Sequence, residues 1–184
     1  QGPVEQIDSR EAIRGIGRDM GDSVTASGRG NYGGRYRAIR ILGDPESSLR
    51  GADIIELDGA ARVDHIVNLR RIVAGYLESA WQYQREDADL LARFITIYNA
   101  VHRGNMSFFA SRYRSAVVDF LQPERAGLAT SYRQWPGNTQ LVIPIRDDRV
   151  AGDLDVVDSR QLIDRDVITE LRSRADLGIE DRKA

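Results

Sequence analysis

A chain of 184 residues has room for one domain, or one domain and an appendage. A domain of this size buries ~70% of the surface its unfolded chain exposes, so neither a metal nor a disulfide is required for folding. Apolar residues at 41% and charged residues at 29% exclude a disordered chain, and a net charge of −2 gives no global pull toward DNA or anionic membranes.

Gln1 to Pro3 read as a trimmed terminus or a protease-site remnant and are assigned to no element. Asp8-Ser9 forms a capping pair ahead of a helical stripe at Ile13, Ile16 and Met20. Gly15 and Gly17 each weaken that helix by ~1 kcal/mol relative to alanine unless they permit close backbone packing. The glycine-rich stretch 26–35 reads as a surface loop. Residues 36–42 alternate as a strand, and 52–57 form a second strand closed by the Asp58-Gly59 turn. Ile66, Leu69, Val73, Tyr76, Leu77 and Ala80 mark a helix over about 63–84, with Asp64 as its cap. Acidic residues Glu86, Asp87 and Asp89 open a helix over about 87–103, and Phe109, Tyr113, Val117 and Phe120 predict a third over 106–121. Pro123 follows that helix. Residues 139–146 read as an edge or bulged strand, because Pro144 lacks an N–H. Residues 151–184 read as an acidic linker and a C-terminal helix, set apart from a globular unit over 4–150.

These elements predict an α+β fold: three or more packed helices beside a small sheet of three strands. No apolar run approaches the ~20 residues that span a bilayer, and no signal peptide is visible. Cysteine is absent, which removes disulfides, thiolate nucleophiles and cysteine-based zinc sites. It suits any compartment, including an exported one.

Chemistry-bearing residues are sparse. Asp53, Glu56 and Asp58 lie close together in sequence, and Asp58 shares a face with Glu56 at the C-terminal end of the strand, where sites are often built. With His65 they offer an acid/base or hard-metal cluster. Against this, Asp53 and Glu56 are an odd number apart and face opposite ways on a strand, and the bland reading is a turn aspartate and a solvent-facing glutamate. His65 has no H-x-x-x-H partner. His102, before Arg103-Gly104, reads as a helix-stop signal, with Asn105 capping the next helix. Gly28, Gly30 and Gly33 match G-x-G-x-x-G, but the required strand-then-helix context is missing. No G-x-S-x-G occurs. Tyr132, Arg133 and Trp135 form the most interaction-like stretch, since Tyr, Arg and Trp are enriched at binding hot spots; an aromatic beside Pro136-Gly137 also pins a loop to a core. Of 26 basic residues only Lys183 is lysine. The rest are arginine, which pairs with carboxylates through two parallel bonds; GC-rich codon bias accounts for the same excess.

The stretches "VDHIVNLRRIVAGYLESAWQYQREDADLLARFITIYNAVHRGN" and "GLATSYRQWPGNTQLVIPI", with "AIRGIG" near the start and "LIDRDVITELRSR" near the end, carry a resemblance. The chain resembles the N-terminal region of the spirochaetal (Borrelia and Treponema) eighty-three/one-hundred-kilodalton antigen family, apart from the loops at 25–35 and 44–51. The blocks Tyr98 to Val101 and "SYRQWPGNTQLVIP" are its fingerprints. The resemblance implies an exported protein in the periplasm or at the cell surface, its signal peptide removed, with a long charged helical region following this part. It supplies no catalytic residue, cofactor or metal ligand.

Three functional expectations stand side by side. A non-enzymatic envelope domain with a protein partner would use Tyr132, Arg133 and Trp135. A carboxylate/histidine-dependent hydrolase or metal enzyme would need a histidine to converge on Asp53, Glu56 and Asp58. Nucleic-acid binding through arginine is disfavoured by the charge balance.

Overall fold

The computed structural model describes residues 9–43, 46–58, 61, 63, 65–129 and 139–145. In chain order it contains α1 (Arg10–Ser27), β1 (Arg29–Tyr32), β2 (Tyr36–Ile41), β3 (Gly51–Leu57), α2 (Ile66–Trp81), α3 (Arg85–Val101), α4 (Met106–Arg112), α5 (Ser115–Phe120) and β4 (Thr139–Ile145). Five helices pack against one sheet of order β1-β2-β3-β4, with every neighbouring pair antiparallel. The α+β class holds, with four strands in place of three. No helix among the described residues is long and apolar enough to cross a membrane.

The extra strand is β1, inside the glycine-rich stretch that reads as a loop. Its residues Arg29-Gly30-Asn31-Tyr32 carry no apolar alternation, so periodicity cannot detect them. Pairing with β2 and cover from α1 make the strand. A Cβ on Gly30 would lie 2.6 Å from the Met20 carbonyl oxygen, so the helix rests directly on the strand backbone. The hairpin turns at Gly33 and Gly34, with φ of 63° and 74°.

The helix expected over 106–121 is two short helices, α4 and α5. Tyr113 and Arg114 between them are extended, and the break is held by Arg50, whose N–H donates to the Arg112 carbonyl (2.9 Å) and whose carbonyl accepts from the Arg114 N–H (3.0 Å). Phe109, Tyr113 and Val117 keep their helical spacing across the break and stay buried, which is why the pattern reads as one helix. His65 is the N-cap of α2, its Nδ1 accepting from the Val67 N–H at 3.1 Å; Asp64, the expected cap, lies outside the described residues. Ser9 caps α1, accepting from the Ala12 N–H at 3.1 Å. The predicted C-terminal helix and linker, 151–184, lie outside the described residues.

The sheet is covered on both faces. Tyr36, Ala38, Ile55, Leu57, Leu141, Ile143 and Ile145 pack with Ile16, Met20, Val24, Leu69, Ile72 and Val73 of α1 and α2. Ala52, Ile54 and Val142 on the other face pack with Phe94, Ile97 and Tyr98 of α3 and with Phe109, Tyr113 and Val117. Each fully buried aliphatic or aromatic side chain contributes ~1.5–3 kcal/mol, so this two-sided burial is what holds the layers. Helices α1 and α2 approach backbone to backbone. A Cβ on Gly17 would fall 1.8 Å from the Ile72 carbonyl oxygen, and one on Gly75 would fall 2.0 Å from that of Arg14. Gly17 therefore permits the close packing that offsets its low helix propensity.

Strand β4 is an edge strand, as Pro144 requires, yet its outer rim is occupied. Asn99 of α3 donates Nδ2–H to the Val142 carbonyl (2.9 Å) and accepts from the Val142 N–H through Oδ1 (2.8 Å), imitating a peptide unit of a fifth strand. Gln140 exchanges backbone bonds of 2.8 Å with Arg125 and Gly127. Outward-facing backbone positions alternate along an antiparallel strand, so Pro144 follows Gln140 and Val142 in that series, and its missing N–H costs no ladder bond.

Candidate functional site

Asp53, one of the acid/base candidates, is fully buried in mid-sheet on the face toward α2. Register pairs it with Arg40 on β2, whose guanidinium makes a two-bond fork: Nε–H to Oδ1 at 2.8 Å and Nη2–H to Oδ2 at 2.9 Å. Oδ2 also accepts from the Tyr76 hydroxyl (2.7 Å) and from Trp81 Nε1–H (2.8 Å), both on α2. The Arg40 guanidinium lies 4.2 Å above the Trp81 ring, which adds cation–π attraction. Four donor bonds onto one carboxylate leave little capacity for a substrate. Burial works against the Arg40 cation, but Asp53 outweighs it and holds its pKa above the ordinary value. Burial first, and then the Asp53 charge, push the Tyr76 phenol well up. The group is an Arg40–Asp53 ion pair closed by two further donors, the Tyr76 hydroxyl and Trp81 Nε1–H.

Glu56 points to the opposite face. Its Oε2 accepts from Gln140 Nε2–H at 3.0 Å and from Arg125 Nη1–H at 3.4 Å, and Arg37 Nε lies 3.6 Å from Oε1. Asp58 follows β3 and closes the turn, its carbonyl accepting from the Ala61 N–H at 2.9 Å. His65 is exposed at the start of α2, where it serves as the cap. The carboxylates are thus divided between the two sides of the sheet, with His65 on a helix end. No group of three His, Asp or Glu side chains suited to a metal ion forms among the described residues. His102 is the C-cap of α3 and is buried, its ring stacked on Phe108 at 3.6 Å and 2° with Tyr98 edge-on at 5.1 Å. The next residue, Arg103, donates to the carbonyls of Glu124, Arg125 and Gly127 at 2.8–3.0 Å and so pins the segment that runs toward β4. Tyr132, Arg133 and Trp135 lie outside the described residues.

A second feature escaped the sequence reading. Between α1, α2 and α3 opens a cavity of about 380 Å³ lined by Arg10, Arg14, Arg70, Arg71, Arg85 and Arg93, with Val67 and Asp89 completing its wall. Arg14 enters it from a buried position, its Nη1 bonded to Asp89 at 2.7 Å and its Nη2 to Glu78 at 2.6 Å. Arg18 also bonds Glu78, through Nε–H at 3.0 Å. Burial alone would raise the Glu78 pKa, but bonding and charge from Arg14 and Arg18 hold it below the ordinary carboxylate value. Arg85 bonds Glu11 of α1. The signal was present in the spacing: Arg10 and Arg14 are four apart, and so are Arg85, Asp89 and Arg93, which puts each set on one helix face. What no single helix reveals is that the faces meet.

No curated protein and no solved structure matches the chain. A family model described as Borrelia P83/100 protein matches residues 1–184, and the chain belongs to that family.

Proposed function

We propose that this domain is a non-enzymatic module of the cell envelope, in the periplasm or at the cell surface, that acts by holding a protein partner. The observation that carries the reading is the enclosure of Asp53. One of the three candidate carboxylates is consumed by Arg40, Tyr76 and Trp81 as internal scaffolding. The histidines serve the helices: His65 caps α2, and His102 ends α3 inside an aromatic stack. Membership in the P83/100 antigen family agrees with an envelope role.

Tyr132, Arg133 and Trp135 are the proposed contact residues, on residue type. The test is capture of a defined envelope protein, identified by cross-linking in intact cells, by the wild-type chain and by a Tyr132→Ala, Trp135→Ala double variant. The reading expects at least tenfold weaker capture by the variant with circular dichroism unchanged. Equal capture removes that contact assignment. Hydrolytic turnover of ester, phosphoester, glycoside or peptide substrates that is abolished by Glu56→Gln or His65→Asn in a folded chain replaces the reading with an enzymatic one.

A further inference from the structure

We propose that the rim of β1 takes up an extended acidic segment of a protein partner as a further strand of the sheet. This rests on the partner-holding reading and gives it a second contact, separate from Tyr132, Arg133 and Trp135. The two rims of the sheet are unlike. The β4 rim is filled by Asn99 and by the backbone of Arg125 and Gly127. At β1, the Arg40 N–H donates to the Gly28 carbonyl at 3.0 Å, which makes 28 and 40 a bonded pair. Bonded and non-bonded pairs alternate along an antiparallel ladder. The next bonded pairs in this register are therefore Gly30 with Ala38 and Tyr32 with Tyr36. Arg29 and Asn31 turn their N–H and carbonyl groups outward. Ser27 Oγ–H donates to the Arg29 carbonyl at 3.1 Å and leaves it a second lone pair. Among the described residues nothing bonds the Arg29 N–H, the Asn31 N–H or the Asn31 carbonyl. Strand addition draws its affinity from such main-chain groups and its specificity from alternate side chains.

A groove of about 580 Å³ runs beside this rim, lined on the sheet by Arg29, Asn31, Arg37, Ile39 and Glu56 and closed by Phe120 of α5. Ser23 and Ser27 of α1 line it as well. Helix α1 packs on one face of the sheet and Phe120 packs with the other, so the groove passes around the β1 rim. Arg29 faces Ile39 across the ladder, Asn31 faces Arg37, and Arg37 faces Glu56, so these side chains share one sheet face. A strand laid along the rim sets every second side chain over that face. The charge there selects acids. Arg29 is exposed, and no carboxylate among the described residues pairs with it. Arg37 lies 3.6 Å from Glu56, which also accepts from Gln140 and Arg125. Two arginines thus meet one glutamate that is already shared. A second copy of the chain would bring its own Arg29 and Arg37 to the same rim, and like charges would meet. Rim bonds to two residues make a weak contact alone; a second contact on the same partner raises the joint affinity through effective concentration.

The experiment is fluorescence anisotropy of a labelled, end-blocked hexapeptide of alternating glutamate and valine, titrated with the full chain at low ionic strength. One companion peptide carries lysine in place of glutamate. Another carries N-methyl groups on its glutamate amides, which keeps every side chain and removes the donors a rim strand turns toward β1. Both companions should bind roughly tenfold more weakly or worse. Arg29→Glu should weaken the acidic peptide by roughly tenfold, and Arg10→Glu, at the far end of α1, should leave it unchanged. Hydrogen exchange at the Arg29 and Asn31 amides should slow when the acidic peptide is added. Absence of binding at millimolar peptide, equal binding of either companion, or equal binding by Arg29→Glu overturns the proposal. Protection of those two amides that grows with protein concentration alone also overturns it and assigns the rim to a second copy. Failed peptide binding with envelope capture intact sinks this inference and leaves the partner-holding reading standing; peptide binding with no capture from intact cells does the reverse.

Discussion

Arginine does opposite work in two parts of this molecule. At the sheet, Arg40 is 3% exposed and matched by one fully buried carboxylate, with Tyr76 and Trp81 completing the bonding of Asp53. Between the helices, six arginines and Asp89 line one cavity, and Arg14 there is bonded to both Glu78 and Asp89. The first arrangement is closed electrostatically and serves the fold. The second ties helices together, with Arg14 bonded to Glu78 and Asp89 and Arg85 bonded to Glu11. The difference teaches that an arginine-rich composition says nothing by itself. What matters is which elements the fold joins through each cation.

The largest expected effect comes from breaking the closed site. Asp53→Ala leaves Arg40 buried without its anion and should destabilise the domain by ~3–5 kcal/mol, read as a fall in the urea midpoint. Replacing both charges, Arg40→Met with Asp53→Leu, should cost less than the sum of the single changes, and additive losses would refute the pair as a unit. Next comes the seam that carries Arg14. Gly75→Ala puts a methyl group 2.0 Å from the Arg14 carbonyl oxygen, so α1 must shift off α2. Overpacking of this kind costs ~1–3 kcal/mol, read as a fall in the urea midpoint.

A smaller effect follows pH. The folded-state pKa of Glu78 is held below the ordinary carboxylate value. Its stabilisation is therefore fully present above the unfolded-chain pKa of ~4.3 and is lost as pH falls through the depressed folded value. Urea midpoints for wild type should drop over that acid window, and Glu78→Gln should start lower at neutral pH and decline less. Equal acid slopes would sink the assignment. The smallest effect belongs to the open site: Arg70→Gln removes a charge that burial and Arg93 oppose, so stability should change by less than ~1 kcal/mol, in either direction. A loss as large as that of Asp53→Ala would erase the contrast between the two sites.

Much of the fold was readable because its strongest cues are local. The stripes of α1, α2 and α3 follow the period of a buried helix face, and Pro144 in β4 correctly marks an edge strand. β1 was unreadable because Gly30 owes its strand state to the helix lying on it. The break at Tyr113 was unreadable because its cause, Arg50, is far away in sequence. The same limit applies to the sites. Asp53 looked chemical from its closeness in sequence to Glu56 and Asp58, and the side chains that enclose it lie 13 to 28 positions away. The cavity needs three helix faces at once, and each alone reads as a solvated surface.

The amide of Asn99, seated against Val142, has a wider bearing on how the domain behaves among its copies. A bare sheet rim is a template on which another chain can polymerise. Here a side chain from α3 and the backbone of residues 125–127 already occupy the bonding positions at Gln140 and Val142, and a proline supplies no donor at the next outward position. The domain therefore has a dead end on its β4 side, which guards against aggregation wherever it is crowded.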